Sequence, residues 1–241
     1  MAHEIPSTAM VFAAGLGRRM LPLTQTTPKP LIKVGGRSML DHMLDRFAEA
    51  GVRRVVVNVH HLADQIESHL ASRRDLEVIV SDERDALLDQ GGGIAKALPL
   101  LGEAPFFVAN TDALWIEGPR RNLSRLAETW DPAEMDVLLL VAATATSVGV
   151  DWPGDVFMDA AGRLSRRPER EVAPFVYAGV GILKPELFAG RAEKIFPLAP
   201  FFWDAAGKGR LYGQRLDGVW LHVGEPHVIA EAERELERNV S

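Results

Sequence analysis

The stretch VFAAGLGRRMLPLTQTTPKPL, residues 11–31, decides the fold of this chain. It starts inside an apolar run, residues 9–14, whose composition predicts a buried strand. Gly15 and Gly17 come directly after that strand. In open parallel sheets, ligands bind beyond the carboxyl ends of the strands, and glycine lets backbone N–H groups approach a phosphate closely. The stretch therefore predicts a sheet with an anion site at its edge.

Basic side chains of the same stretch indicate that the anion is a polyphosphate. Arg18 and Arg19 carry forked donors that match phosphate oxygens, and Lys29 is a point charge between two prolines. Neither the dinucleotide pattern G-x-G-x-x-G nor the P-loop pattern G-x-x-x-x-G-K-[ST] fits the stretch. The alternative is a surface loop whose basic residues are solvated and bind nothing.

The composition is that of a globular protein. Of 241 residues, 47% are hydrophobic and 25% are charged, which leaves ample material for a core. The net charge of -6 argues against a sequence-independent nucleic-acid binder. The absence of cysteine excludes disulfides and thiolate metal sites and fits a reducing compartment. No apolar run approaches the ~18 residues of a membrane span and residues 1–8 do not resemble a signal peptide, so we expect a cytoplasmic protein without a membrane partner.

Apolar runs alternate with helical patterns along the chain. The order strand, helix, strand, helix predicts an α/β fold with an open, mixed, mostly parallel sheet flanked by helices. The pattern changes after residue 144, where a small hairpin is expected at 155–165. We predict one domain, 1–241, with strands at 9–14, 54–59, 76–80, 105–109, 136–142 and 175–183, and helices at 38–50, 62–72, 94–101, 119–129 and 225–238.

The opening stretch resembles the signature loop of the sugar-1-phosphate nucleotidylyltransferases, which is roughly G-x-G-x-R-M-x-P-L-T followed by P-K-P-L. The segments LLDQGGGIAKALPLL, FFVANTDALW, FVYAGVGILKPELF and WLHVGEP resemble later parts of that family in the same order. The triple glycine and the short length are most similar to N-acetylmuramate 1-phosphate uridylyltransferases, which serve peptidoglycan recycling. The resemblance implies a Rossmann-like, glycosyltransferase-A-like fold, with residues 9–143 as a nucleotide-binding half and 144–241 as a sugar-phosphate-binding half.

The resemblance implies a reaction in which a sugar 1-phosphate oxygen attacks the α-phosphorus of a nucleoside triphosphate and pyrophosphate leaves. Two anions must approach each other, so the protein contributes positioning and charge neutralisation. Arg19 and Lys29 match the family's arginine and lysine and are the expected catalytic residues, whereas Arg18 falls at a variable position and contributes its backbone. The triphosphate is expected to bind Ala14, Gly15, Gly17, Arg18, Arg19 and Lys29.

The triple glycine that follows Gln90 has more than one interpretation. A flexible hinge or an anion-binding helix start would each use such a sequence. The resemblance implies instead a nucleobase pocket, formed by Gln90, Gly91 and Gly92, in which the missing side chains admit the ring. The Gln90 amide both donates and accepts, which suits a pyrimidine edge.

A divalent cation, Mg²⁺, is the implied cofactor, and Asp112 is its expected ligand. A carboxylate directly after a strand is well placed for a hard cation, although an aspartate there also caps loops. The family usually has a second metal-binding aspartate where this sequence has His222. Either Mg²⁺ is held by Asp112, substrate phosphates and water, or His222 binds Mn²⁺, Co²⁺ or a similar ion, or catalysis is impaired.

The sugar side is implied by shorter segments. Asn110 follows the strand at 105–109 and would face the sugar, and Gly154, Tyr177 and Gly179 match segments that lie near the sugar in the family. The neighbouring arginines at 166–167 either meet the sugar phosphate, or bind the carboxylate of a lactyl group, or form a solvated basic turn.

The expected partners are therefore a nucleoside triphosphate and a sugar 1-phosphate, with UTP and N-acetylmuramate 1-phosphate favoured. A second possibility is the same chemistry on another pair, such as GTP with mannose 1-phosphate. A third is a sensor that binds nucleotide or sugar phosphate and has lost catalysis at His222. No oligomeric state is predicted.

Overall fold

The structure is a computed structural model that describes residues 5–191 and 194–239. The strands of these residues are β1 Thr8–Phe12, β2 Lys33–Val34, β3 Arg37–Ser38, β4 Arg54–Val59, β5 Glu77–Asp82, β6 Phe106–Asn110, β7 Ala113–Glu117, β8 Val137–Ala143, β9 Val156–Met158, β10 Leu164–Arg166, β11 Phe175–Leu183, β12 Leu211–Arg215 and β13 Gly218–His222. The α-helices are α1 Met39–Glu49, α2 Ala63–Leu70, α3 Asp89–Leu101, α4 Asn122–Thr129, α5 Ala199–Gly207 and α6 Pro226–Asn239.

The apolar runs form one mixed sheet. Strands β6, β1, β4 and β5 are parallel and lie side by side, with Val11 opposite Val57 on one side and Ala109 on the other. On the far side of β6, β11 runs antiparallel to it, and the sheet continues there through β8 and β12 and through the small β9–β10 hairpin. The predicted fold, an open mixed sheet with a parallel centre and a hairpin insertion, is confirmed.

Helices cover both faces because the central strands are apolar on both faces. Successive side chains of a strand point to opposite faces, so Phe106 and Phe107 enter different cores. The Phe107 ring lies 5.6 Å from that of Phe47 on α1, whereas the Phe106 ring lies 6.4 Å from that of Phe188 on the other face. Both phenylalanines of β6 are fully buried, which clamps this strand between the helix layers.

A second, two-stranded sheet brings a distant part of the chain to the end of β6. Strand β7 turns back after β6, and β13 pairs with it antiparallel, so that Ala113 lies opposite His222. The sequence patterns did not indicate β7, β12, β13 or α5. The helix predicted from residue 94 begins at Asp89, so the triple glycine lies within it. Among the described helices, none combines the length and the apolar character needed to cross a membrane.

Candidate active site

The carboxyl ends of the parallel strands open into a cavity of about 720 Å³. This is the edge at which open sheets bind ligands. Strands β1, β4 and β6 end here, and the loop after β1 and the start of α3 form its sides. The lining residues that concern the argument are Ala14, Gly15, Gly17, Arg18, Arg19, Lys29, Asn58, Glu83, Asp89, Gln90, Asn110 and Asp112.

The loop after β1 is held in shape by Gly17. Its φ of 63° lies in the left-handed region, and a Cβ there would lie 2.7 Å from Thr24 Cγ2. The Thr24 hydroxyl donates to the Gly17 carbonyl at 2.9 Å. Gly15, by contrast, has open space where a Cβ would lie. The loop therefore needs glycine at 17 for its own folding, while Gly15 leaves backbone exposed to the cavity.

Arg18 and Arg19 are both exposed, but they occupy different places. Arg18 lines the large cavity, whereas Arg19 also lines a second cavity of about 320 Å³ beside it. Gly224, which comes shortly after β13, brings its backbone near Arg19, since a Cβ there would lie 3.5 Å from Arg19 Nη1. Among the described residues, no carboxylate forms an ion pair with either arginine, so their donors remain available to an anion.

Lys29 and Asp112 form an ion pair at the centre of the site. Lys29 Nζ lies 2.7 Å from Asp112 Oδ2, and the side chains are only 14% and 18% exposed. Burial by itself raises the pKa of Asp112, but the charges of Lys29, His222 and Arg19 outweigh it and lower the pKa below its ordinary value. The carboxylate is therefore ionised at neutral pH. Asp112 Oδ1 has no hydrogen-bond partner among the described residues.

His222 lies beside this pair because β13 pairs with β7. Its ring stacks on Trp220 at 5.2 Å between centroids and meets the edge of Trp152 at 5.3 Å. Burial lowers the pKa of His222, with Asp112 opposing that effect, so the imidazole is neutral near pH 7. A neutral imidazole has a lone pair that can bind a metal ion.

Asp112 and His222 are the candidate ligands that the site offers a cation. Among residues 5–191 and 194–239, no group of three His, Cys, Asp or Glu side chains is placed to hold a metal. Asp112 has a free carboxylate oxygen, and His222 has a neutral ring. Mg²⁺ takes one or two carboxylates and completes its shell with phosphate oxygens and water, so these residues fit a cation that arrives with a substrate.

The segment predicted as a nucleobase pocket divides into two parts. Gln90 lines the large cavity, and its Nε2 donates to Asn110 Oδ1 at 2.7 Å. Gly91 and Gly92 are buried in α3 and do not line the cavity. A Cβ on Gly92 would lie 2.2 Å from the Lys194 carbonyl, and Gly92 N–H donates to the Phe196 carbonyl. Glycine is needed at these positions because the segment 194–196 packs directly against the helix. A contact of Gly91 and Gly92 with a nucleotide stays a prediction.

The residues predicted for the sugar lie around the second cavity. Tyr177, Gly179 and Asn110 line it together with Asp112 and His222. Gly154 does not line it, but lies in a third cavity that adjoins it. The structure therefore brings the predicted phosphate, metal and sugar residues into one continuous region.

Asp155 belongs to the segment that was expected near the sugar, whereas Asn58 and Glu83 were missed from the sequence. Asp155 accepts from Trp152 Nε1 at 3.1 Å and from Tyr177 N–H at 3.0 Å, which ties the loop before β9 to β11. Behind the glycine loop, Asn58 accepts from Ala13 N–H and donates to buried Glu83 at 2.8 Å in each case. A polar asparagine within the apolar run RVVVNV is the one local signal that could have pointed to Asn58 and Glu83.

Comparisons with known proteins agree with this geometry. A family model described as a MobA-like NTP transferase domain matches residues 9–191. That match covers most of the chain, and the glycine loop, Lys29 and Asp112 fall within it. The chain belongs to this family of nucleotidyltransferases.

Particular relatives are similar over almost the whole chain. An N-acetylmuramate alpha-1-phosphate uridylyltransferase of Caulobacter vibrioides is 46% identical, covering 97% of this chain and 98% of the relative. One of the same name from Neisseria meningitidis serogroup B is 34% identical over 93% and 96%. A mannose-1-phosphate guanylyltransferase catalytic subunit beta of Danio rerio is 27% identical over 90% of this chain and 61% of the relative.

Solved structures match the fold. A UDP-glucose pyrophosphorylase from Acinetobacter baumannii superposes with a TM-score of 0.76 at 18% identity, covering 97% of this chain and 98% of that one. A UDP-glucose pyrophosphorylase solved with UDP-glucose gives a TM-score of 0.75 at 18% identity, over 96% and 98%. The chain thus shares its overall fold with these solved structures.

Proposed function

We propose that this chain joins UTP to N-acetylmuramate 1-phosphate, forming UDP-N-acetylmuramate and releasing pyrophosphate. The carrying observation is that Arg19, Asn110 and Asp112 line both the large cavity and its smaller neighbour. A site that must bring two phosphates together needs two adjoining pockets with basic groups at their junction. The relatives from Caulobacter and Neisseria support the choice of uracil and of N-acetylmuramate.

In this proposal the large cavity holds the triphosphate. Backbone N–H groups of residues 14–18 face its phosphates, and Gly15 leaves room for them. Arg19 and Lys29 neutralise charge on the two phosphates as they approach. A phosphate oxygen of the sugar 1-phosphate forms a bond to the α-phosphorus of UTP. The bond between the α-phosphorus and the oxygen that bridges the α- and β-phosphates breaks, and the electron pair of that bond leaves with pyrophosphate.

Asp112 and His222 would hold the divalent cation. A bound Mg²⁺ or Mn²⁺ would supply additional positive charge to the phosphates of both substrates. An imidazole ligand suits a transition metal better than it suits Mg²⁺. His222 in place of an oxygen ligand therefore favours Mn²⁺ over Mg²⁺. We expect His222→Asp to shift metal preference toward Mg²⁺, measured as activity and as Mn²⁺ binding by electron paramagnetic resonance. Unchanged Mn²⁺ affinity in His222→Ala, which has no ligand at this position, would remove His222 from the metal site.

A substrate panel tests the proposed function directly. Pyrophosphate release is measured with UTP, dTTP and GTP, each paired with N-acetylmuramate, N-acetylglucosamine or mannose 1-phosphate. We expect the highest kcat/KM with UTP and N-acetylmuramate 1-phosphate. Preference for GTP with mannose 1-phosphate would replace the proposal by a guanylyltransferase. Binding without turnover of any pair would make the chain a sensor.

The roles of Arg19 and Lys29 have their own test. Lys29→Ala and Arg19→Ala are each expected to lower kcat ~100-fold or more, because each removes a charge that stabilises the transition state. Lys33→Ala is the matched control, since Lys33 is an exposed lysine of the same segment and does not line the cavity. Circular dichroism checks that all three proteins are folded. Near-normal kcat in Lys29→Ala would remove the mechanism.

The expected location is part of the same proposal. A chain without cysteine that consumes a nucleoside triphosphate fits a reducing, nucleotide-rich compartment, and we place it in the cytoplasm. Fractionation of cells that express the tagged chain tests this.

A further inference from the structure

A third cavity, of about 720 Å³, adjoins the proposed sugar pocket. The two cavities share Asp155 and Tyr177 as lining residues, so they are direct neighbours. Aromatic side chains of α5, Phe202 and Trp203, form one wall. The lining also includes a pair of arginines, 166–167, and the exposed Glu169. The cavity is therefore apolar at its wall and charged at its rim.

Arg167 has a structural role at this rim. Its Nε donates to the Gly154 carbonyl at 2.8 Å. Its Nη1 donates to the carbonyls of Pro168, Glu169 and Glu171, at 3.0, 3.2 and 2.9 Å. Through Nε and Nη1 Arg167 fastens the loop after β10 to the loop before β9, which leaves only the two N–H groups of Nη2 for a ligand.

Arg166 is placed differently. It is exposed at the end of β10, and none of the ion pairs among the described residues includes it. Its guanidinium carbon lies 5.3 Å from the centre of the Trp203 ring. An arginine stacked on an aromatic ring keeps the N–H edge of its fork free, and that edge matches a carboxylate in two parallel hydrogen bonds. Arg166 is thus a cation that lies over the Trp203 ring and forms no ion pair with the described carboxylates.

Tyr177 connects this cation to the proposed reaction centre. Its ring meets Phe202 edge to face at 5.4 Å, and its hydroxyl is buried without a hydrogen-bond partner among the described residues. Burial, and next the Asp112 charge, raise the pKa of Tyr177, so the hydroxyl is protonated at neutral pH. A buried hydroxyl without a partner costs free energy unless a ligand supplies one.

We propose that Arg166 binds a carboxylate carried by the sugar, and that the site thereby selects acidic sugar 1-phosphates over neutral ones. This inference rests on the proposed function and concerns the group that distinguishes N-acetylmuramate from neutral sugars. N-acetylmuramate differs from N-acetylglucosamine by a lactic acid ether on O3. With the anomeric phosphate near Arg19 and the sugar ring beside Tyr177, the lactyl group extends into the third cavity and its carboxylate pairs with the Arg166 fork.

The experiment compares the affinities of two nucleotide sugars that differ only in this group. Dissociation constants of UDP-N-acetylmuramate and UDP-N-acetylglucosamine are measured by calorimetry on the wild type, Arg166→Ala and Arg163→Ala. Arg163 is the matched control, because it is an exposed arginine of the same hairpin and lies over Tyr212, away from the cavity. We expect Arg166→Ala to reduce the preference for the acidic ligand about 10- to 100-fold, as for a lost hydrogen bond between charged groups. Arg163→Ala keeps the preference of the wild type.

Each other outcome is decisive. An equal loss of both affinities in Arg166→Ala, or an unchanged preference, overturns the inference while leaving the proposed function in place. The same holds if the wild type binds both ligands equally. If the wild type binds neither and the substrate panel gives no uridylyl transfer, the proposed function fails and the inference fails with it. Thermal unfolding of each variant separates a lost contact from a lost fold.

Discussion

At the scale of single residues, the site depends on which atoms have partners and which do not. Asp112 uses one oxygen on Lys29, while its other oxygen and the buried Tyr177 hydroxyl have no hydrogen-bond partner in the described part of the chain. Adjacent arginines likewise differ, since Arg167 donates from Nε and Nη1 to backbone carbonyls, whereas Arg166 lies over the Trp203 ring. Residue type alone does not reveal such differences, because neighbouring residues of one type can point into different surroundings.

The glycine loop allows a prediction from a matched pair of variants. Gly17→Ala is expected to lower the free energy of unfolding by ~1–2 kcal/mol, because alanine resists the left-handed conformation there. The clash with Thr24 adds to that cost. Gly15→Ala meets open space, so its stability should stay within ~0.5 kcal/mol of the wild type. Urea denaturation measures both.

Nucleotide affinity should show a separate effect at the same loop. The methyl group of Gly15→Ala would lie where we place the triphosphate, so UTP should bind more weakly although the protein is as stable. Calorimetric titration of UTP measures this. Unchanged UTP affinity in Gly15→Ala would contradict a phosphate cradle at residues 14–18.

At the scale of elements, the helix starts carry the clearest local logic. Ser38 caps α1 by accepting from Asp41 N–H at 3.0 Å, and its hydroxyl donates to Asp41 Oδ2 at 2.7 Å. The same carboxylate contacts His69 and Arg73 at the edge of α2. Ser38 thereby begins α1, and the Asp41 carboxylate that it contacts ties α1 to the end of α2.

The pH dependence of stability follows from that carboxylate. Burial raises the pKa of Asp41, but the hydrogen bonds from Ser38 and His69 outweigh it and lower the pKa below its ordinary value. When the pKa of a carboxyl group is lower in the folded protein than in the unfolded chain, its charged form stabilises the folded state above the pKa of the unfolded chain. That stabilisation is lost as the pH falls through the pKa of the folded protein. Asp41→Asn should therefore be less stable than the wild type at pH 7, and the difference should shrink below about pH 4. Urea denaturation across that range measures it, and a constant difference would contradict it.

Helix α3 supplies a second prediction at this scale. Gly92→Ala places a Cβ 2.2 Å from the Lys194 carbonyl, so the segment 194–196 must move away from the helix. We expect a loss of ~1–3 kcal/mol in stability, typical of overpacking a buried position. Gly207→Ala at the end of α5 meets no atom and is the control. If both variants melt at the wild-type temperature, segment 194–196 does not cover the glycines.

At the scale of the whole molecule, the two halves share one sheet. Strand β11 of the second half pairs with β6 and β8 of the first, and β12 pairs with β8. Strand β13 likewise pairs with β7. Each half thus needs strands of the other half as hydrogen-bonding partners. We therefore propose that residues 1–241 form one cooperative domain.

Unfolding tests that proposal. Tryptophans lie in both halves, Trp115 and Trp130 in the first and Trp152, Trp203 and Trp220 in the second. We expect tryptophan fluorescence and far-UV circular dichroism to report one coincident transition in urea. A first half expressed alone, residues 1–143, should not fold, because it exposes the edges of β6 and β8. Two separate transitions would divide the chain into domains.

The amino-acid sequence by itself determined most of the helices and strands, the parallel centre of the sheet, and the glycine loop with Lys29 and Asp112. These depend on the periodicity of apolar residues and on motifs contained in short segments, which operate over a few neighbouring residues. The start of α3 was misplaced because glycine lowers helix propensity locally, and only packing against segment 194–196 compensates for that.

Which residues from distant parts of the sequence become neighbours could be seen only in the folded molecule. The pairing of β7 with β13 places His222 next to Asp112, although 110 positions of sequence separate them. The resemblance to a family had already grouped Tyr177 with the sugar and His222 with the metal, but the stacking of Arg166 on Trp203 was visible only in the structure. Such contacts depend on how all the elements pack at once, and a local pattern holds no record of them.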